Sequence, residues 1–534
     1  MKLIVFGIDG ATFDLILPWI ENGYLPNIKK AIERGVCGRL KSTIPPVTPN
    51  AWVSFYTGKN CGKHGVIDFT YRDKNSYMKK PVSSLTYQEK TIWEILSDNG
   101  IISGYLNMPV TYPIKKIKGY AISGLLTPNK AKDFCYPPGL IEEVEKVIGK
   151  KYRIYNREVY TRGRLKKLKE DIFETLEIRL EVAKYLLKSK DMDFFMIHFF
   201  GSDRLQHEIW HVMDKSHPKH RKDEEEFSDM ILEYYKKLDE GIGEILSIFG
   251  DEISYIIMSD HGFGPAYNYF FINNFLLEKG YIKLKNNFLT FMKKILFKIG
   301  ITPYTFYSFL IKLKVAGKRL SFDVGRRYML MRKIFLSFDD VDWKKTIAYA
   351  TGNKAAQIFV NLRGREPEGI VEFKDYESVL QRIIEDLKAF KNIKFEIYRK
   401  EEIFSGEKID IMPDIVCVIN NYSYQTLGSA DFISNKIVEP TFDSGDHRLN
   451  GIFIACGKIF KENLKLEEIS IYDLAPTILF SLNCPVDEGM DGKVRIEVFK
   501  EEFLKGKEIR YKNYGKSSSK TLRGYTKREI EQLK

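Results

Sequence analysis

No apolar run in this 534-residue chain approaches the roughly 18 residues of a membrane-crossing helix, so the sequence reads as that of a soluble protein. The start, Met1 to Asp9, also lacks a signal peptide's features: its apolar run is short and stops at a carboxylate, not at a small-residue cleavage site. Cysteine is sparse. Cys37, Cys61, Cys135, Cys417, Cys456 and Cys484 lie far apart, with neither paired metal-ligand spacing nor the density of a secreted disulfide framework. Reduced thiols in a cytoplasmic protein are the expectation. Glutamine is scarce while lysine, isoleucine and glutamate abound, a bias common to thermophile proteins and to skewed genomes. Internal repeats and substantial low-complexity tracts are absent, and the length suits one large α/β domain with an insertion.

What charge there is, is unevenly placed. Between Lys279 and Lys333 stand fourteen basic residues and one acidic residue, Asp323, a local excess equal to the net +13 of the whole chain. A nucleic-acid binder that works through its whole surface would spread such charge, and no recognisable nucleic-acid module accompanies it. A local element facing an anionic substrate, or an anionic membrane surface through residues 279–333, fits better; a solvated basic face over an ordinary core is the plain alternative.

The first 265 residues repeat a short apolar run ending in a polar residue, then an amphipathic segment, the pattern of α/β layering on a mainly parallel sheet. Strands are expected at 3–8, 102–107, 193–199 and 254–259, and helices near 25–34, 92–98, 165–189 and 227–249. From about Tyr267 to Asp342 apolar and basic residues intermix, which reads as an inserted helical cap. The α/β pattern resumes with 348–361, a helix over 377–390, strands near 395–398, 414–419 and 451–456, and a helix over 472–481. The expected organisation is a core of 1–266 and 343–499, a cap over 267–342 and a lysine-rich tail over 500–534. Functional groups of such sheets gather beyond the carboxyl ends of the strands.

Several segments carry chemistry of that kind. Asp9 ends the first apolar strand and precedes Gly10. In Pro46-Val-Thr48-Pro-Asn50, proline at the first helical position puts Thr48 at an N-cap, where N–H groups and the helix dipole favour an anion. Asp203 and His207, four apart, share one helix face. Asp260-His261 ends a buried strand before Gly262, and His447 lies in a Gly- and Asp-rich loop before another. Each alone also suits capping, a turn or ordinary pairing. Together they supply three aspartates, three histidines and a threonine in strand-end, helix-start or loop positions.

The order Asp9, Thr48-Pro-Asn50, Lys63-His64-Gly65, Asp203-x-x-x-His207, Ser259-Asp-His-Gly262 and Ser444-Gly-Asp-His-Arg448 resembles the type I phosphodiesterase and nucleotide pyrophosphatase family of the alkaline phosphatase superfamily, over residues 1 to about 495. That resemblance implies a three-layer α/β/α fold with a mainly parallel sheet and two divalent ions, usually zinc, with manganese or iron also suited to mixed nitrogen and oxygen ligands. Asp9, Thr48, Asp260 and His261 would surround one ion, and Asp203, His207 and His447 the other. Thr48 would be the nucleophile of a phosphodiesterase or pyrophosphatase acting on an anionic phosphate-containing substrate. A phosphomonoesterase, phosphonate hydrolase or phosphomutase on the same site, or a non-catalytic anion or membrane-surface binder, remains open. One position departs from the family: its phosphate-contacting asparagine, four residues past the glycine matching Gly65, is here Phe69, and Asn50 is the alternative donor. Cys61-Gly-Lys-His-Gly65 lacks the proline and arginine of a sulfatase motif. The sequence leaves the oligomeric state open.

Overall fold

The computed structural model describes residues 1–72, 76–77, 79–250, 253–313, 331–428 and 432–517. Its centre is a nine-stranded sheet in the order Leu464–Ser470, Val36–Lys41, Asn450–Cys456, Ser254–Met258, Leu3–Ile8, Phe194–Phe199, Ser103–Met108, Gly119–Ser123, Cys135–Tyr136. Neighbours run parallel except around Asn450–Cys456 and at the short edge strand Cys135–Tyr136. The apolar strands are covered on both faces, so each divides its side chains by period two. Ile4, Phe6 and Ile8 enter one core with Phe195, Ile197, Ile452 and Ile454; Leu3 and Val5 enter the other with Phe194, Met196 and Phe453. The sheet with helices on each face gives the α/β fold that the sequence pattern calls for.

The first core is closed by helices Pro26–Arg34, Leu165–Ser189 and Met230–Ser247, the second by Thr48–Thr57, Ile92–Asp98 and Leu474–Ser481. Helix Pro26–Arg34 starts after Leu25, which has no capping oxygen. Asp239 of a neighbouring helix supplies one, accepting from Ile28 N–H at 2.7 Å and from Asn27 N–H at 3.1 Å.

The strands of residues 348–419 stand apart from the central sheet. Ala348–Thr351, Ala356–Val360, Ile415–Ile419 and Phe395–Arg399 pair antiparallel into a separate four-stranded sheet, covered by helix Phe373–Lys388. Its core unites Phe270, Phe275, Leu336 and Val341 with Ala350, Ile358, Leu380 and Cys417, so packing runs across residue 342. Helices Phe288–Lys298 and Pro303–Lys312 lie within the basic segment. Residues 314–330 of that segment and 518–534 of the tail lie outside the described residues. None of the six cysteines is in a disulfide, and among the described residues no helix is long and apolar enough to cross a membrane.

Candidate metal centre

Three parallel strands end at one edge of the sheet, and each hands over a candidate residue. Leu3–Ile8 leads directly into Asp9, Ser254–Met258 into Asp260 and His261, and Phe194–Phe199 into helix Gly201–Met213 with Asp203 and His207. Asn450–Cys456 runs the other way, so its entry, not its exit, lies at this edge, and His447 arrives three residues before it. The antiparallel strand is how a C-terminal residue joins an N-terminal set. His447 lies not in a loop, as the sequence suggested, but in the short strand Gly445–Arg448, paired antiparallel with Gly262–Pro265; Gly445 lets that strand approach the helix, since a Cβ there would sit 2.4 Å from the Gln206 carbonyl.

All three histidines are oriented by the backbone. His207 Nδ1 lies 2.8 Å from the Gly445 carbonyl, His261 Nδ1 3.0 Å from that of Gly262, and His447 Nδ1 2.6 Å from that of Pro46. A carbonyl only accepts, so each Nδ1 carries the hydrogen and each Nε2 is left with a lone pair. Those lone pairs converge: His207 Nε2 is 2.9 Å from His447 Nε2, and the His447 ring stacks on His261 with centroids 3.6 Å apart. Two acceptors facing each other at that distance repel unless a cation or proton lies between them.

The carboxylates pose the same problem. Asp9 Oδ1, Asp203 Oδ1 and Asp260 Oδ2 are buried with no hydrogen-bond partner, a costly state for a charged group. Asp203 Oδ1 lies 3.4 Å from His207 Nε2 and 3.2 Å from His447 Nε2. His261 Nε2 lies 3.5 Å from Asp9 Oδ1, 3.3 Å from Asp260 Oδ2 and 3.5 Å from Thr48 Oγ1. Ligands about 2.0–2.1 Å from a tetrahedral zinc are separated by roughly 3.3 Å. The donors thus fit divalent ions, and sets of three lie close enough to share one: Asp9 with Asp260 and His261, Asp203 with His261 and His447, and His207 with Asp446 and His447.

Protonation in the ion-free protein reflects the same crowding. Burial, then repulsion from Asp260 and from Asp203, raises the pKa of Asp9 well above the ordinary carboxylate value; burial and Asp203 do so for Asp260. Burial opposes ionisation of Asp203, but His207 and His447 outweigh it and hold its pKa well down. Burial and Lys354 oppose charge on His207, yet Asp203 raises its pKa. His261 is lowered by burial and by His447, and His447 by burial and Lys354.

Thr48 is the first residue of helix Thr48–Thr57, with Val47 as its cap, one position from the expected arrangement. Its hydroxyl therefore does not cap the helix and instead faces His261. Asn50 is committed elsewhere: its Nδ2 donates to the Pro45 carbonyl at 3.2 Å and its Oδ1 accepts from Ser54 Oγ at 3.3 Å. Ser54 in turn meets His64 Nε2 at 3.0 Å, while His64 Nδ1 accepts from Val66 N–H at 3.1 Å. The Lys63-His64-Gly65 motif thus anchors the helix that carries Thr48. A cavity of about 200 Å³ opens above these groups, walled by Thr48, Asp203, His207, His447, Phe69, Lys354 and Phe442 among others.

Four residues outside the sequence-derived set belong to this environment: His198, Trp52, Lys354 and Asp446. His198 Nδ1 meets the Asn107 carbonyl at 3.1 Å and must carry its hydrogen there, so its Nε2 lone pair faces Asp9 Oδ2 at 2.8 Å. One proton bridges the pair. Burial lowers the pKa of His198 to about 3 and raises that of Asp9. Trp52 Nε1 donates to the same oxygen at 3.3 Å, packing so close to Gly7 that a Cβ there would lie 2.6 Å from the indole. A lone histidine in the apolar strand Phe194–Phe199 was the available sequence signal. Lys354 Nζ, at a hairpin tip, lies 2.5 Å from Asp446 Oδ1. Asp446 stood beside His447 in the sequence; Lys354 had no signal.

The nine-stranded, mostly parallel sheet with acid and imidazole donors gathered beyond its strand ends is the alkaline phosphatase-like arrangement. The chain belongs to the type I phosphodiesterase / nucleotide pyrophosphatase family, whose profile matches residues 3–432. Among solved structures, phosphonoacetate hydrolase from Sinorhizobium meliloti, in complex with phosphonoformate, is 14% identical and aligns with 91% of this chain and 95% of its own at a TM-score of 0.51. An inactive murine ectonucleotide pyrophosphatase / phosphodiesterase 5 in complex with AMP is 14% identical over 94% of this chain and 100% of that one, TM-score 0.50. Its human counterpart gives the same identity and coverage at 0.49. At this identity the first two likenesses speak for the fold alone. The search of curated proteins gave no match.

Proposed function

We propose that this chain is a metal-dependent phosphohydrolase in which Thr48 is the nucleophile, with phosphodiester or pyrophosphate substrates as the leading class. The observation carrying the reading is the convergence of three imidazole lone pairs and three unpartnered carboxylate oxygens beside a threonine hydroxyl that caps nothing. Asp9, Thr48, Asp260 and His261 would hold one divalent ion and Asp203, His207 and His447 the other. Such ions supply Lewis-acid chemistry, lowering the pKa of the threonine hydroxyl and offsetting charge on phosphoryl oxygens. Thr48 Oγ1 attacks phosphorus, its proton leaves to solvent or a neighbouring base, and the bond to the leaving oxygen breaks; water then cleaves the Thr48–phosphoryl ester. His198 and Trp52 hold Asp9 in place. A relative of the same fold in complex with AMP supports a phosphate-bearing substrate.

A second reading, a monoesterase or phosphonate hydrolase, is favoured by the cavity wall. Phe69 stands where the family's diesterases place an amide donor, and Lys354, ion-paired with Asp446, lines the same wall. Hydrolysis of bis(p-nitrophenyl) phosphate against p-nitrophenyl phosphate, with the metal-reconstituted protein and Thr48→Ala in parallel, decides between them. Diester preference lost in the variant supports the first reading and monoester preference the second. Turnover of either substrate undiminished in Thr48→Ala would overturn the nucleophile assignment.

A further inference from the structure

Helix Phe288–Lys298 is polar inside and apolar outside. Its buried positions are Thr290 and Lys293, the latter held by Asp340 at 2.9 Å and the Arg332 carbonyl at 2.7 Å. Its outer face presents Phe288, 79% exposed, then Phe291 and Ile295, and continues to Ile299 at 65%. These positions follow the helical repeat along one stripe. Helix Pro303–Lys312 also turns apolar side chains outward: Pro303 and Tyr307 are buried, while Phe306, Phe309 (58% exposed) and Leu313 face solvent. A surface helix of a water-soluble protein carries the opposite polarity, and an apolar patch of this extent marks an interaction surface.

Charge indicates what the patch meets. Lys298, Lys312 and Lys333 are exposed, residues 279–313 and 331–338 contain no acidic side chain, and the two aspartates that follow are paired, Asp340 with Lys293 and Asp339 with Arg332. Exposed apolar side chains on lysine-bearing helices with no acidic residue complement an anionic lipid bilayer, where the former enter the acyl boundary and the latter meet headgroup phosphates. The same element reaches the candidate centre. Tyr304 stacks on Phe442 with centroids 5.0 Å apart, Tyr307 meets it edge-on at 5.3 Å, and Phe442 walls the cavity of Thr48 and His447.

We infer that the outer face of helices Phe288–Lys298 and Pro303–Lys312 is a docking surface for anionic membranes. This inference does not depend on the proposed chemistry, because Thr48→Ala leaves the surface intact. The test is flotation of the metal-reconstituted full chain with vesicles of equimolar phosphatidylcholine and phosphatidylglycerol, against vesicles of phosphatidylcholine alone. Binding to the mixed vesicles is expected to be at least about tenfold stronger and to weaken with salt. The doubly substituted Phe291→Asp, Phe309→Asp chain should lose it while its melting curve stays unchanged, since both positions are exposed. Absence of wild-type binding to the mixed vesicles, or equal binding by the double variant, overturns the inference. So does light scattering that shows a wild-type dimer abolished by those substitutions with no vesicle binding, which would assign the face to a second copy of the chain.

Discussion

At the scale of single residues, the site is built by fixing where hydrogens are not. Three backbone carbonyls take the Nδ1 hydrogens of His207, His261 and His447, and the carboxylate oxygens that remain have no donors. His198 deepens this by holding Asp9 Oδ2, which leaves Oδ1 turned toward His261. Groups that orient metal ligands are worth about 10–100-fold in metal affinity. His198→Gln is therefore expected to weaken metal binding by about that factor, measured by competition with a chromophoric chelator. A variant with wild-type affinity would mean that Trp52 alone suffices to orient Asp9. Asp9, Thr48, Asp203, His207, Asp260, His261 and His447 were all legible in the sequence because strand ends and short motifs expose them. His198 and Lys354 were not, since their relevance depends on which strand or hairpin tip becomes their neighbour.

At the scale of elements, the four-stranded antiparallel sheet is tied by one buried carboxylate. Asp414 accepts from both Arg365 guanidinium nitrogens at 2.6 Å, from Tyr376 Oη at 2.7 Å and from Val360 N–H at 2.8 Å. It thereby joins strand Ile415–Ile419 to the hairpin and to helix Phe373–Lys388. Burial works against its charge, but Arg365 and Lys400 prevail and hold its pKa below the ordinary value. A depressed folded-state pKa means the stabilisation is fully present above the unfolded value, about 4, and is lost as pH falls through the folded one. Asp414→Asn removes the bidentate partner of Arg365 and leaves it only Glu366, at 2.9 Å from Nε, with an expected cost near neutrality below the roughly 3–5 kcal/mol of a wholly unpaired buried charge. The variant's stability should also fall less steeply than wild type below about pH 4. Denaturant melts across that range check both. The sequence showed these strands through their β-branched and aromatic runs. It did not show that they form a sheet of their own, because partner choice between sheets leaves the local pattern unchanged.

At the scale of the whole molecule, residues from positions 9 to 447 meet at one sheet edge, so ion binding there would be coupled to the global fold. A ligand that binds only the folded chain stabilises it by about 2.7 kcal/mol at a hundredfold excess over Kd. Removing metal by dialysis against a chelator should lower Tm, and restoring zinc or manganese should raise it in proportion to the logarithm of free ion. Asp260→Asn should behave differently. Without ion it should match or exceed wild type in Tm, because it removes one of two carboxylates whose burial and mutual repulsion oppose charge. With ion it should gain less. An ion-free variant markedly less stable than ion-free wild type would contradict this account of the crowded pair.

The sequence by itself determined the layered α/β class, the acid and imidazole set and the concentration of positive charge, since apolar periodicity, strand-end placement and composition are local properties. Only the tertiary structure decided the rest: which way Asn450–Cys456 runs, that Thr48 caps nothing, that His64 and Asn50 brace its helix, and that two helices turn their apolar faces outward. Each depends on what lies across the fold, and neighbours in space are not written in any single segment.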